Sequence, residues 1–487
     1  MTLKADYKLV EETSIDIGRS LRVEDKRFLP ASFRDRLNQV VEVDGKIIRL
    51  LSPEGTRLFD KLSAASFYKT SLAKGFFPAT RKLSEEEFRQ GNFGDQWQAA
   101  LEHERLPFIS YPYEWSFQML KRGALFELDL QLAALTEGFS LKDGSGFNLQ
   151  WRGVAPVHID IPSLEPLAEG SVWSGYRQFC QFFLFPLMLK AYKRVPFNSW
   201  LRSEIDGIPL EHFAPLFGWF DLLRGGVLKH VFLHNKLSRV AANAAGGIAG
   251  DIKVSGFHKE LIVANVKGLR RLIAGLQDST AKSQWSDYAE ENSYAQQEHQ
   301  VKKEFVENAA SAIRPKLTWD IGCNTGGFSK IAAKHSGYVV AFDNDSLCID
   351  RFFLDLESGD YPNILPLVVS FADPSPNLGW RGQERSSIIE RGKPDLVLAL
   401  AVIHHAVISC NIPLSQFVAW IAELSPTAVI EFVSKDDRMT KKLLANRIDQ
   451  YSDYSLENFE RCCEAHYKIV RSVKLASGTR FLYQLEK

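Results

Sequence analysis

Residues 318–330 read TWDIGCNTGGFSK. An acid, Asp320, closes a short apolar run; Gly322, Gly326 and Gly327 follow, and a helix-like segment begins near Phe328. A backbone this bare lets a ligand approach the main chain, or simply lets the chain turn sharply. The surrounding pattern gives it a context. From about residue 315, β-rich runs alternate with segments of helical spacing such as GGFSKIAAKHS and SQFVAWIAELS. The runs are LTWDI (317–321), YVVAF (338–342), ILPLVV (364–369), DLVLALA (395–401) and AVIEFV (428–433). Continuous apolar strands separated by helices predict a parallel sheet covered on both faces, a doubly wound α/β fold. The chain then closes with two strand-like runs around Ser477-Gly478-Thr479, an antiparallel hairpin added to the sheet edge.

In such sheets ligands lie beyond the carboxyl ends of the strands. Three acids fall there in order: Asp320 after the first run, Asp343 in AFDND after the second, and Asp373 in ADPS after the third. A carboxylate at the second position can accept hydrogen bonds from both hydroxyls of a ribose, and one at the third can hold an exocyclic amine. This combination resembles the class I S-adenosylmethionine-dependent methyltransferases, over roughly residues 285–487. DIGCNTGGFS is similar to their first motif, and LALAVIHHA to their segment after the fourth strand; the closing hairpin fits their reversed seventh strand. The resemblance implies a seven-stranded Rossmann-like sheet with S-adenosyl-L-methionine as cofactor. It places Gly322 and Gly326 beside the cofactor, Asp320 near its methionine amine and Asp343 on its ribose. Cys323, Asn324, Phe328, Asn344, Ala372, Asp373 and Ala401 complete the implied contacts.

Neighbouring chemistries are set apart by particular residues. A nicotinamide dehydrogenase would carry G-x-G-x-x-G, whereas this loop is G-C-N-T-G-G. DPSP (373–376) resembles the N/D-P-P-Y motif of amino-methyltransferases but follows the third strand rather than the fourth. GGFS resembles ribosomal RNA 2′-O-methyltransferases, yet Ala401-Val402-Ile403 stands where those place a catalytic aspartate. Methyl transfer needs a nucleophile aligned with the sulfonium, and a base where the acceptor is a hydroxyl or protonated amine. His404 and His405, just past the fourth strand, are the candidates for that role, one of them expected to pack under the sheet; Glu431 is a second candidate. Trp285, Tyr288 and Tyr294 lie in a helical lead-in that either caps the cofactor pocket or packs on the sheet.

The first half reads differently. VVEVDGKIIRLL (40–51) alternates around Asp44-Gly45 as a hairpin, and Ser52 and Pro53 open a helix. LKDGSGFNLQWRGVAPVHID (141–160) resembles the catalytic and metal-binding segment of the protein-kinase-like and aminoglycoside-phosphotransferase-like fold, an α+β arrangement. The resemblance implies Asp143 as catalytic residue, with Asn148 and Asp160 holding magnesium against ATP, and SYPYEW as the hinge between lobes. The segment shows no clear glycine-rich phosphate loop, Lys46 is the candidate for the nucleotide-anchoring lysine, and Asp143 and Asn148 also suit a side-chain-capped turn. The expected organisation is a kinase-like domain at 1–235, with a small lobe to about 110 and a large lobe over 111–235. A helical connection follows at 236–284, then the methyltransferase domain at 285–487.

With 59 basic and 59 acidic side chains, the chain has no net field to favour nucleic acid. Its six cysteines show no CxxC spacing and are expected to be reduced thiols of a cytoplasmic protein, the N-terminus lacking an apolar leader core. FCQFFLFPLMLKAY (179–192) is too short for a membrane span and predicts a buried helix. The architecture, including ISYPYEW and EFVSKDD, is similar to bacterial methyltransferases of nodulation type. A methyltransferase acting on a small molecule or glycan is therefore expected, the first half assisting acceptor recognition. The alternatives are a bifunctional kinase–methyltransferase, a non-catalytic S-adenosylmethionine-binding regulator, and an RNA methyltransferase.

Overall fold

The computed structural model describes residues 26–233, 259–278, 295–445 and 448–487. Trp285, Tyr288 and Tyr294, and most of the 236–284 connection, lie outside them.

The N-terminal half begins with a five-stranded antiparallel sheet: β1 (Lys26–Phe28), β2 (Asn38–Val43), β3 (Lys46–Leu51), β4 (Thr80–Lys82) and β5 (Ala99–His103), in the order β1-β2-β3-β5-β4. Asp44 and Gly45 make the β2–β3 turn with φ of 50° and 77°, a left-handed pair that glycine and aspartate tolerate. Ser52 caps the following helix Pro53–Ala64, its Oγ accepting the Gly55 N–H at 3.1 Å. A twenty-residue helix, Phe117–Thr136, then leads to β6 (Phe139–Leu141), β7 (Leu149–Arg152), β8 (Ala155–His158) and β9 (Leu164–Pro166). These form two small antiparallel pairs, β6 with β9 and β7 with β8. The apolar run is helical and buried, with π-turns at Cys180–Leu184 and Leu189–Lys193 around Pro186, which has no N–H to give to an α-helical bond. Among the described residues no helix is long and apolar enough to cross a membrane.

The C-terminal half is a seven-stranded sheet: β10 (Leu317–Ile321), β11 (Tyr338–Asp343), β12 (Ile364–Val368), β13 (Leu396–Ala399), β14 (Thr427–Val433), β15 (Lys468–Lys474) and β16 (Arg480–Glu486). The order is β12-β11-β10-β13-β14-β16-β15. Strands β10 to β14 are parallel, and β16 runs antiparallel between β14 and β15. The strand runs read from the sequence fall within a residue or two of these, and the reversed closing hairpin is present. The chain steps outward from β10 through β11 to β12 and returns to β13, so the ends of β10 and β13 flank a topological switch point.

The halves share one apolar core. Phe108 meets Trp319 edge to face, and Trp151 meets Phe353 in the same way. The helix Lys259–Gly275 packs on Phe117–Thr136, burying Ile262, Val266, Leu269 and Ile273. Arg270 of that helix pairs with Asp129 of Phe117–Thr136 at 2.5 Å.

Candidate functional site

At the end of β10 the chain makes three left-handed turns of backbone: Gly322 (φ 70°), Asn324 (φ 51°) and Gly326 (φ 76°). Gly326 precedes the helix Gly327–Ala333. Two of these positions require glycine for space as well as angle. A Cβ on Gly326 would overlap the Phe352 ring, and one on Gly322 would lie 2.6 Å from Val402 Cγ2. The second contact matters for the site, since it seats the segment after β13 directly on the glycine bend. On that segment Ala401 is held at φ 54°, a conformation costly for a residue with a Cβ.

Asp320 is almost wholly buried and accepts the Ser329 hydroxyl at 2.5 Å. Burial raises its carboxyl to about 7, with the charge of Asp343 adding to the rise. A cation at this position would restore the carboxylate. Asp343, ending β11, accepts the Asn324 N–H at 3.0 Å and the Asp345 N–H at 2.9 Å, and burial raises it too. Each oxygen keeps a further lone pair for a hydroxyl donor. Asn344 beside it is exposed, whereas Cys323 is buried and its thiol is pushed far up by burial and the neighbouring acids. Phe328 is half-buried and meets His299 of the lead-in helix Ala295–Ile313 edge to face. The bend, two carboxylates on adjacent parallel strand ends and a partly open aromatic thus stand together. They fit an adenosyl sulfonium: an anion for its cationic end, an acid for its ribose, and bare backbone between.

Asp373, on the loop after β12, already has a protein partner. Its carboxylate is gripped by both terminal nitrogens of Arg202, at 2.8 and 2.9 Å, and Ala372 beside it is exposed. Arg202 belongs to the N-terminal half, so that half holds the loop following β12. The same loop is tied down by a buried pair, Glu114 with Arg391, to which Ser375 adds its hydroxyl. Nothing in the spacing of the sequence signals either contact.

His404 and His405 follow Val402. Their ring centroids lie 4.1 Å apart with the planes tilted by 41°, His404 being 1% exposed and His405 half-buried. Burial lowers His405 to about 4 and holds His404 well below the usual imidazole range, and Arg480 opposes a proton on either ring. Both are neutral imidazoles at neutral pH. Glu431 lies within β14, fully buried, and pairs with Lys302 at 2.6 Å and Arg480 at 3.2 Å; Arg480 also holds Asp437 at 2.8 Å. Sequence reasoning named Glu431 but missed Lys302, Arg480 and Asp437, which come from three other segments.

In the N-terminal half, Asp143, Asn148 and Asp160 do gather, but as a closed arrangement. Asp143 accepts the Ser145 N–H at 2.9 Å, the capped turn, and burial raises its carboxyl. Asp160 is paired with Arg49 at 3.0 Å, and Lys46 with Glu102 at 3.3 Å. Among the described residues no group of three or more His, Cys, Asp or Glu could hold a metal ion. A magnesium ion does not fit this set: Asp160 is already paired with a cation, and burial raises the Asp143 carboxyl, disfavouring its charge.

The fold and the strand-end acids define a two-part protein, an α+β half packed on a doubly wound seven-stranded domain whose closing strand is reversed. The chain belongs to the family of nodulation protein NoeA: it is 33% identical over 462 residues to "Nodulation protein NoeA" of Rhizobium meliloti (strain 1021), an alignment covering 94% of this chain and 95% of that one. No family model matches. Among solved structures it is similar to N-methyltransferase NodS from Bradyrhizobium japonicum WM9 in complex with S-adenosyl-L-homocysteine. That match has 10% identity and a TM-score of 0.31 and covers 42% of this chain and 93% of that one. It is also similar to the bifunctional kinase-methyltransferase WbdD, at 17% identity and a TM-score of 0.30, over 42% of each chain.

Proposed function

We propose that the protein is an S-adenosyl-L-methionine-dependent methyltransferase whose acceptor is a small polar molecule or a glycan. One observation carries the reading: Asp320 and Asp343 end adjacent parallel strands on either side of a glycine bend that only a bare backbone can make. When bound, the cofactor would supply an electrophilic methyl group on sulfur. Asp320 would hold its cationic amino acid end and Asp343 its ribose. Cys323, Asn324, Phe328, Asn344 and Ala401 would line the adenosyl path, and Ala372 and Asp373 its adenine end. His404 and His405 are the bases offered to the acceptor, on the segment that Val402 seats against Gly322 of the bend. The N-terminal half acts as a platform, holding the β12 loop through Arg202 and Glu114.

The test is calorimetry of the full chain with S-adenosylmethionine, S-adenosylhomocysteine and Mg-ATP in turn. The reading expects the first two to bind and Asp320→Asn to weaken S-adenosylmethionine at least ~10-fold, about 1.4 kcal/mol. Heat from Mg-ATP alone would instead favour phosphoryl chemistry in the N-terminal half and sink the reading.

A further inference from the structure

His404 is buried, yet among the described residues neither of its ring nitrogens has a hydrogen-bond partner. Glu431 Oε2 and Thr440 Oγ1 share that condition. A buried polar atom without a partner costs about 1–3 kcal/mol, so these atoms are a set of hydrogen bonds waiting for a ligand. They are also neighbours. Glu431 pairs with Lys302 and Arg480, and those two cations are among the charges that depress protonation of His404. Thr440 is on the helix Arg438–Leu444, which Asp437 caps and which packs on the π-turn His405–Ser409.

We propose that His404 and Glu431 form the acceptor pocket for an uncharged, polyhydroxylated substrate, so that the methyl group goes to oxygen. The inference rests on the methyltransferase reading and deepens it.

Donor and acceptor counts choose the substrate. A neutral imidazole offers one N–H donor and one nitrogen lone pair, and Glu431 Oε2 offers acceptor capacity only. Several hydroxyls of one polyhydroxylated molecule answer all three, since each can donate and accept: one donates to the ring nitrogen, another accepts from the ring N–H on its other side, and another donates to the carboxylate. A protonated amine has donors alone and would leave the N–H unanswered. It would also add a third cation beside Lys302 and Arg480, whose two charges are already matched by Glu431 and Asp437. A carboxylate substrate would crowd Glu431.

The same arrangement serves the transfer. As the acceptor oxygen bonds to the methyl carbon, the sulfur–methyl bond breaks, the sulfonium becomes a neutral thioether, and the hydroxyl proton passes to the free ring nitrogen of His404. Asp437, whose charge favours a protonated His404, then stabilises the imidazolium. His405, Arg480, Asp437 and Lys302 are the charged or titratable groups acting on the ring, and Glu431 reaches it through its pairs with Lys302 and Arg480.

The experiment uses the full chain saturated with S-adenosylhomocysteine and reads the histidine side-chain NMR resonances, that of His404 assigned with His404→Gln. Methyl glucoside and its 2-ammonium counterpart are titrated separately to high concentration. The proposal expects the neutral glycoside to shift the His404 resonance, to bind at least ~10-fold more tightly than the ammonium sugar, and to lose that binding in Glu431→Ala. Stronger binding of the ammonium sugar, or no movement of His404 with either, overturns it. Should S-adenosylhomocysteine itself not bind, the methyltransferase reading fails separately. The glycoside titration without it still decides whether this pocket takes hydroxyls.

Discussion

Asp320 sets the pH behaviour of the site. Its carboxyl titrates near 7 because burial penalises the charge, and only the carboxylate attracts a cation. S-adenosylmethionine affinity should therefore rise as pH climbs through about 7, and fall roughly tenfold per unit well below it. Isothermal titrations from pH 5 to 9 check this; a flat profile in the wild type, or an unchanged slope in Asp320→Asn, would contradict the assignment. The histidines make no acid limb around pH 7, since burial lowers His405 to about 4 and holds His404 well below the usual imidazole range. At Gly326 the argument is steric. Gly326→Ala must either move the Phe352 ring or unwind a left-handed turn, so a loss of about 2–4 kcal/mol is expected in urea unfolding.

The elements divide by how far their causes lie apart in the chain. Each strand of the doubly wound sheet is visible in the sequence because burial on both faces makes it a local apolar run. The acids at Asp320 and Asp343 were legible for the same reason, since they follow runs whose ends can be seen. The loop after β12 was not. Its anchor, Glu114 with Arg391, joins residues 277 positions apart, and Arg202 reaches Asp373 from 171 positions away. Likewise Lys302, Arg480 and Asp437 show no common motif and meet only once β16 lies beside β14. The spacing of Asp143, Asn148 and Asp160 resembled a metal site because spacing records position and not pairing; Arg49 on β3 neutralises Asp160. The Glu114–Arg391 pair carries its own prediction. Both side chains are buried and the guanidinium lies 4.5 Å from the Tyr111 ring, so Glu114→Gln leaves a charge unpaired. It should cost about 3–5 kcal/mol, whereas Glu114→Gln combined with Arg391→Met should recover much of that loss in the same denaturation assay.

At the scale of the whole molecule, the question is whether two halves behave as one. The β7–β8 hairpin drives its tip into the C-terminal domain: the Gly153 N–H donates to the Tyr338 hydroxyl at 3.0 Å, and a Cβ there would collide with the Pro362 carbonyl. Around that tip Trp151 packs on Phe353, and the Gln118 N–H donates to Asp350 at 2.8 Å. An interface that buries aromatics from both sides couples their unfolding, since neither half can open without exposing the other's core. The intact chain should accordingly melt in a single calorimetric transition, shifted upward by S-adenosylhomocysteine as a unit. Gly153→Val attacks the docking and also strains the turn, since Gly153 sits at φ 58°, while the β7–β8 ladder on either side keeps its register. In that variant the transition should split in two, and the cofactor product should raise the C-terminal one alone. A variant that still melts as one body, at an unchanged temperature, would show that the halves are coupled elsewhere than at the hairpin tip.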